Sequence, residues 1–374
     1  MSIELTREEF GKTAVKLKTY RKFSFVIFSD ELFEKYQKLL VPISIFMEVI
    51  ILLIWATKMY SNDEKTLNVA FTMLSIIGFS QVLVKILSIF LNIKKIDRIF
   101  ILFHELHQVH ENNTISNIFN KNLGKIHKIV NFTLRFFCMS NLLILLIVSI
   151  LSIVNEEPPF KVPFVDENYT IIHRLAGPLS FSYNYYNIFI ADCTIVFIGT
   201  YLIGALNILS DLLRMLNEST DISTAENHLR LIVTLHIHIL SKLNDFCDVF
   251  NFLFFFQLLN SVVILLFNLY VMLEFSNHSI YWVIYLSTFG QFALFCVFEQ
   301  IVFYRCKSLF TNLCQSKWYE MKIKDQKTLQ LITKRSQNES ESKAGEMNEI
   351  NFILFVYVLK IFFSWYVIFY KIFN

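Results

Sequence analysis

At 374 residues the chain could form two or three soluble domains, yet 55% of it is hydrophobic, 16% aromatic and only 17% charged, well below the roughly 25% charged usage of soluble proteins. Eight glycines and five prolines are too few for the frequent turns of a barrel, so the class is an all-α membrane protein. A net charge of +3, with no basic run interleaved with base-stacking aromatics, sets nucleic-acid binding aside.

The first 38 residues are polar and charged and carry no cleavable signal pattern, so the first apolar stretch is expected to act as the signal anchor. Roughly 20 apolar residues cross a bilayer core of about 30 Å. Stretches of that kind occupy 39–57, 68–93, 129–154, 185–209, 246–273, 280–303 and 350–370, which predicts seven transmembrane helices. Before the fifth of them, Leu229, Ile232, Val233, Leu235, Ile239, Leu240 and Leu243 recur near helical spacing, so that span is expected to begin as a helix projecting below the membrane. The stretch 304–333 reads the same way, whereas 335–348 is polar throughout and reads as a loop. The two halves show no internal repeat, which argues against an inverted-repeat transporter.

Orientation follows from Lys and Arg in the connections. The segments 1–38, 94–128, 210–245 and 304–349 carry 26 of them, against 5 in 58–67, 155–184, 274–279 and the C-terminal residues. The positive-inside rule then puts the N-terminus in the cytoplasm and the C-terminus outside, the reverse of a receptor coupled to G proteins. Glycosylation sequons open at Asn168 and Asn277 on the outer side but also at Asn112, Asn217 and Asn338 on the inner side, so they discriminate little. All six cysteines fall in spans or cytoplasmic segments, so no disulfide is expected across the outer loops.

His104, His107 and His110 stand three apart, a spacing that sometimes binds metal, but Glu105 completes no H-E-x-x-H and a wet helix face explains the stripe. No phosphate-cradling glycine loop, G-x-S-x-G elbow or Cys-x-x-Cys pair occurs, so neither an enzyme nor a cofactor is expected. Charged residues inside spans are sharper signals, because a charge in hydrocarbon costs several kcal/mol and faces protein or water. Lys85 and Arg135 lie toward the cytoplasmic ends and are expected to snorkel. Glu48, Asp192, Glu299 and Lys360 complete the set; Glu48, Asp192 and Lys360 lie deeper, with their pairing left open. The outer halves of three spans are rich in Phe71 and Met73, in Tyr185, Tyr186 and Phe189, and in Tyr281, Trp282, Tyr285 and Phe289. An apolar aromatic cavity of that kind suits a small volatile ligand.

The last seventy residues carry a recognisable pattern: Trp318, then Lys334, Arg335, Ser336 and Gln337, then Ala344 and Gly345, then Phe355, Val358, Leu359 and Lys360, ending in Phe363, Ser364, Trp365 and Tyr366. With an N-in seven-span layout this resembles the insect odorant receptor family, whose W…RSQ…AG…F…LK..YSYF pattern it follows. The resemblance implies four subunits around one cation pore, the seventh helix of each lining it, and tuning subunits that assemble with a shared olfactory co-receptor in the plasma membrane. It divides the chain into a ligand-binding bundle, 1–303, and an anchor segment with the pore helix, 304–374. The 36 residues of 210–245 are far shorter than the corresponding co-receptor loop, so the chain resembles a tuning subunit. The related gustatory receptors, the homotetrameric alternative, end in a T-Y-(five apolar)-Q-F pattern. Here Ser364, Trp365, Lys371 and Ile372 stand in those four marker positions. By the same resemblance an odorant would lie among Phe71, Met73 and Leu74, Ile147 and Leu151, Tyr186, Phe189 and Cys193, and Tyr281, Trp282 and Tyr285. Ile368 would form the gate, with Lys371 one turn further out.

Overall fold

The computed structural model describes residues 8, 10–12, 31–61, 66–107, 113–154, 165–166, 168–218, 222–274, 279–346 and 352–373. Among them the chain is helical almost throughout, and no strand occurs. A short N-terminal helix, α1, is described at 8 and 10–12. It is followed by α2 (Glu31–Ser61), α3 (Thr66–Leu91), α4 (Ile93–Leu106), α5 (Asn113–Val154), α6 (Thr170–Glu218), α7 (Ile222–Glu274), α8 (Ser279–Cys314), a 3-10 turn at Trp318–Glu320, α9 (Ile323–Glu346) and α10 (Phe352–Phe373). Five helices are long and apolar enough to cross a membrane, through Val41–Met59, Thr72–Leu91, Ser182–Glu218, Glu226–Met272 and Tyr285–Glu320, and Val356–Ile368 adds a shorter apolar helix. The remaining expected span, 129–154, falls on α5, where many side chains lie outside what the structure describes.

Length separates two zones. At 1.5 Å per residue the 53-residue α7 is about 80 Å long, nearly three times a bilayer core. The excess of α5, α6, α7 and α8 gathers at one end of the bundle, the base, where α5 and α7 begin and α6 and α8 end. The projecting helix expected before the fifth span is therefore found, continuous with it. At the base α4 lies against α7 and α6, burying Ile96, Ile99, Leu102, Phe103 and Leu106 at helical spacing. A break at Asn92, whose amide donates to the Ser88 carbonyl at 3.0 Å, turns α3 into α4. Phe10 of α1, with no solvent exposure, stacks on His107 at 4.6 Å and meets Tyr201 at 5.2 Å.

The central helix is α6, against which α5, α7 and α8 pack. From Ile190 to Leu216 most of its side chains are buried all round, which marks a core helix rather than an amphipathic one. In the base, where the alternative is water, each buried Leu, Ile or Phe stabilises by about 1.5–3 kcal/mol. In the membrane zone the alternative is lipid, so close packing has to supply the stability. Two glycines show how: a β-carbon at Gly199 would overlap the Phe298 ring of α8, and one at Gly204 would overlap Ile126 of α5.

The polar stretch 335–348 departs from expectation, since α9 continues through Glu346. The segment has no proline, its glycine comes only at Gly345, and Glu339 and Lys343 stand four apart in the helix-favouring order. Tertiary contact holds its start: Leu329 and Ile332 join the main core, and the buried Ser336 hydroxyl lies 2.6 Å from His236 Nε2 on α7. Burial, and then the charge of Arg335, push the His236 imidazole down to about 4.

Candidate functional site

Within the membrane zone, polar side chains pair from helix to helix. Lys85 Nζ on α3 donates to Asp192 Oδ1 on α6 at 2.6 Å, and Gln291 Nε2 on α8 donates to Asp192 Oδ2 at 2.6 Å. The ammonium also lies 5.5 Å from the centre of the Phe295 ring. Lys85 and Asp192 side chains are 1% and 4% exposed, so this is a buried ion pair. The expectation that Lys85 snorkels is corrected: a carboxylate on the next helix captures the ammonium before it can reach water. Arg135, by contrast, is exposed.

One and two turns from Asp192 along α6, the same helix presents Phe189 and Tyr185, and the Tyr185 hydroxyl lies 2.8 Å from Ser287 Oγ on α8. Gln81 of α3 donates to Gln257 of α7, while Asn184 and Ser180 donate to the Glu48 carboxylate of α2 at 2.8 and 3.1 Å. The deep charges thus find different partners. Asp192 is ion-paired, Glu48 is held by an amide and a hydroxyl, and Lys360 sits exposed, 5.7 Å from the centre of the Tyr357 ring. Among the described residues the buried Glu299 carboxylate meets no hydrogen-bond partner.

Of the residues expected to meet an odorant, Phe189, Cys193 and Tyr285 share one apolar cluster. Tyr285 is its junction: its ring lies 6.2 Å from Phe289, 6.3 Å from Trp282 and 5.6 Å from Phe362 of α10. Leu74 is buried and Ile147 half-buried, whereas Met73, Tyr186 and Trp282 are largely exposed. The side chains of Phe71, Leu151 and Tyr281 lie outside what the structure describes. Ser287, Gln291 and Phe362 escaped the sequence reading. The spacing of Ser287 and Gln291, four apart on an aromatic helix, is the one local signal that could have singled them out. α10 touches α7 and α8 and buries Val358, while Ile361, Phe363, Trp365, Tyr366, Val367 and Ile368 stay exposed and Lys371 lies beyond them. Among the described residues no cluster of His, Cys, Asp or Glu is arranged to hold a metal, and none of the six cysteines forms a disulfide; His110 lies outside the described residues.

A bundle of long apolar helices, tied inside the membrane by buried polar pairs, defines a multi-pass helical membrane protein. The chain belongs to the odorant receptor family of seven-transmembrane proteins, whose profile, described as 7tm Odorant receptor, matches residues 66–363. Its fold is that of the insect olfactory receptor OR5 from Machilis hrabei. Against the structure of that receptor in complex with eugenol, the TM-score is 0.73 over 99% of each chain at 13% identity. Against a second structure of the same receptor it is 0.72 over 97% of this chain and 98% of that one, at 12% identity. None of the curated proteins matches the chain in sequence.

Proposed function

We propose that the chain is the ligand-tuning subunit of an odorant-gated, non-selective cation channel in the plasma membrane. It has seven spans, a cytoplasmic N-terminus and an outer C-terminus, and assembles with olfactory co-receptor subunits into a heterotetramer. The observation that carries the reading is Tyr285, whose ring joins the α6–α8 cluster on one side and Phe362 of α10 on the other. A small apolar molecule beside Phe189, Cys193 and Tyr285 would act directly on the helix that lines the pore. The eugenol bound by the Machilis receptor supports a small aromatic or apolar odorant as the ligand class. About ten heavy atoms at roughly −0.3 to −1.5 kcal/mol each make micromolar binding the natural range. The part of that energy that differs between closed and open states does the gating.

In this reading residues 1–303 form the ligand bundle and 304–374 the anchor and pore helix. The orientation rests on the 26 to 5 bias of Lys and Arg between the two sides. The exposed apolar side of α10 faces neighbouring subunits, with Ile368 at the gate and Lys371 at the outer mouth. Four such lysines about 8 Å apart would repel by roughly 2 kcal/mol per pair at an effective dielectric of 20, opposing cation entry. One lysine among co-receptor subunits is tolerated. Odorant-evoked currents recorded with and without the co-receptor test this: current only on co-expression is expected, and robust current from this chain alone would overturn the heteromer.

A further inference from the structure

At the base, α5, α6 and α8 enclose a cleft of about 730 Å³ that plays no part in the site above. Lys121 and Lys125 of α5, Arg214 of α6 and Arg305 of α8 line it, with Asp211 as the one acidic residue among the described residues of the lining. Asp211 already accepts from the Asn122 amide at 2.9 Å, and Arg214 reaches Glu218 at 3.3 Å. Lys121, Lys125 and Arg305 enter no ion pair among the described residues. Lys121 and Lys125 stand one turn apart, where like charges repel, and Asp211 is taken up by the Asn122 amide rather than by either of them.

The lining changes character along the cleft. On α5 the exposed stripe runs Lys121, Lys125, Ile129, and on α6 the lining runs from the exposed Arg214 through the half-buried Ser210, Asn207 and Ile203 in the same direction. Both helices therefore pass from cations at the base to apolar side chains where they enter the membrane zone. An amphipathic anion fits this gradient, with its charged end among three uncommitted cations and its apolar end against Ile129 and Ile203. A soluble anion leaves the apolar half of the cleft unused.

We propose that this cleft binds the phosphorylated headgroup of an anionic phospholipid from the adjacent leaflet. That leaflet is the cytoplasmic one, a clause that rests on the orientation proposed above. Basic pockets between membrane helices on the cytoplasmic side hold such headgroups through phosphate contacts, and Arg and Lys divide the work as forked donor and mobile point charge. The bound lipid ties the start of α5 to the ends of α6 and α8, and of these α8 packs on α9.

The test uses the purified full-length chain in detergent micelles and a fluorescent dioctanoyl phosphatidylinositol 4,5-bisphosphate, with binding read by anisotropy. Saturable binding is expected, uncompeted by phosphatidylcholine and at least tenfold tighter than that of soluble inositol trisphosphate. The triple change K121Q/K125Q/R305Q should weaken it at least tenfold. K324Q/K327Q/K334Q, which neutralises three exposed lysines of α9, should change it less than twofold. R305Q alone, at an exposed position, should move affinity in the same direction by a smaller factor and guards against a misfolded triple variant. Unchanged binding by both cleft variants, or equal loss in the α9 control, overturns the site. Soluble inositol trisphosphate binding as tightly as the lipid overturns the lipid and makes the occupant a free phosphate. Binding by purified chain is blind to orientation, whereas epitope tags at Met1 and after Asn374 in intact cells read orientation alone, so the two failures are seen separately.

Discussion

Replacing Asp192 with Asn removes the carboxylate that Lys85 and Gln291 both reach at 2.6 Å. At that distance, and an effective dielectric of 20, the ion pair attracts by about 6 kcal/mol, but desolvating two ions opposes it by several kcal/mol each, so the intact pair contributes little net stability. Breaking it is different. With both side chains no more than 4% exposed, a lone ammonium stays buried, and losing one partner of such a pair costs about 3–5 kcal/mol. An asparagine amide would also have to point its own donor at either Lys85 or Gln291. The double variant K85M/D192N removes the stranded charge while keeping similar volume, so it should recover most of the loss, with a coupling of about 2–4 kcal/mol. Heating detergent-extracted, fluorescently tagged protein and following the monodisperse fraction by size exclusion gives the ranking: wild type and double variant close together, D192N lowest, K85M between. Additive effects of the two single changes would refute a buried pair in the membrane zone.

Tyr285→Ala removes three ring contacts worth about 0.5–1.5 kcal/mol each; odorant potency should fall by about tenfold with surface assembly kept, and Tyr281→Ala should also alter it. Unchanged dose responses for both would place the ligand elsewhere. Gly199→Val drives a side chain into the Phe298 ring and should destabilise by about 1–3 kcal/mol, with Phe298→Leu in the same chain restoring part of the thermal midpoint. His236, held down to about 4 by burial, binds fewer protons folded than unfolded. Its contribution is complete above about pH 6.5 and lost as pH falls toward 4, up to roughly 3 kcal/mol. The thermal midpoint should therefore drop between pH 7 and pH 5 more steeply in wild type than in His236→Gln, and parallel drops would refute the assignment.

The helical class, the apolar stretches and the helix that projects at the start of α7 were legible in the sequence, because each depends on near neighbours along the chain. Twenty apolar residues reveal a span, and the spacing of Leu229, Ile232, Ile239 and Leu243 reveals one helix face. The terminal pattern from Trp318 to Tyr366 pointed to the family that the profile match establishes. The spans did not reveal rotation about their own axes. Lys85 reads as a snorkelling residue until α6, 107 positions later, turns Asp192 toward it. His236 and His238 look alike in sequence, yet one is buried against Ser336 of α9 and the other is exposed. Helix-forming residues carry α9 through the polar stretch that reads as a loop, once its first turns are docked on the core. Composition and periodicity thus marked the apolar helices and one projecting helix face. Which face meets which neighbour, and so which charges pair and which aromatic ring touches α10, was decided by the packing of helices far apart in the chain, since lipid is no more polar than a Leu side chain and hydrophobicity alone cannot tell a lipid-facing side from a protein-facing one.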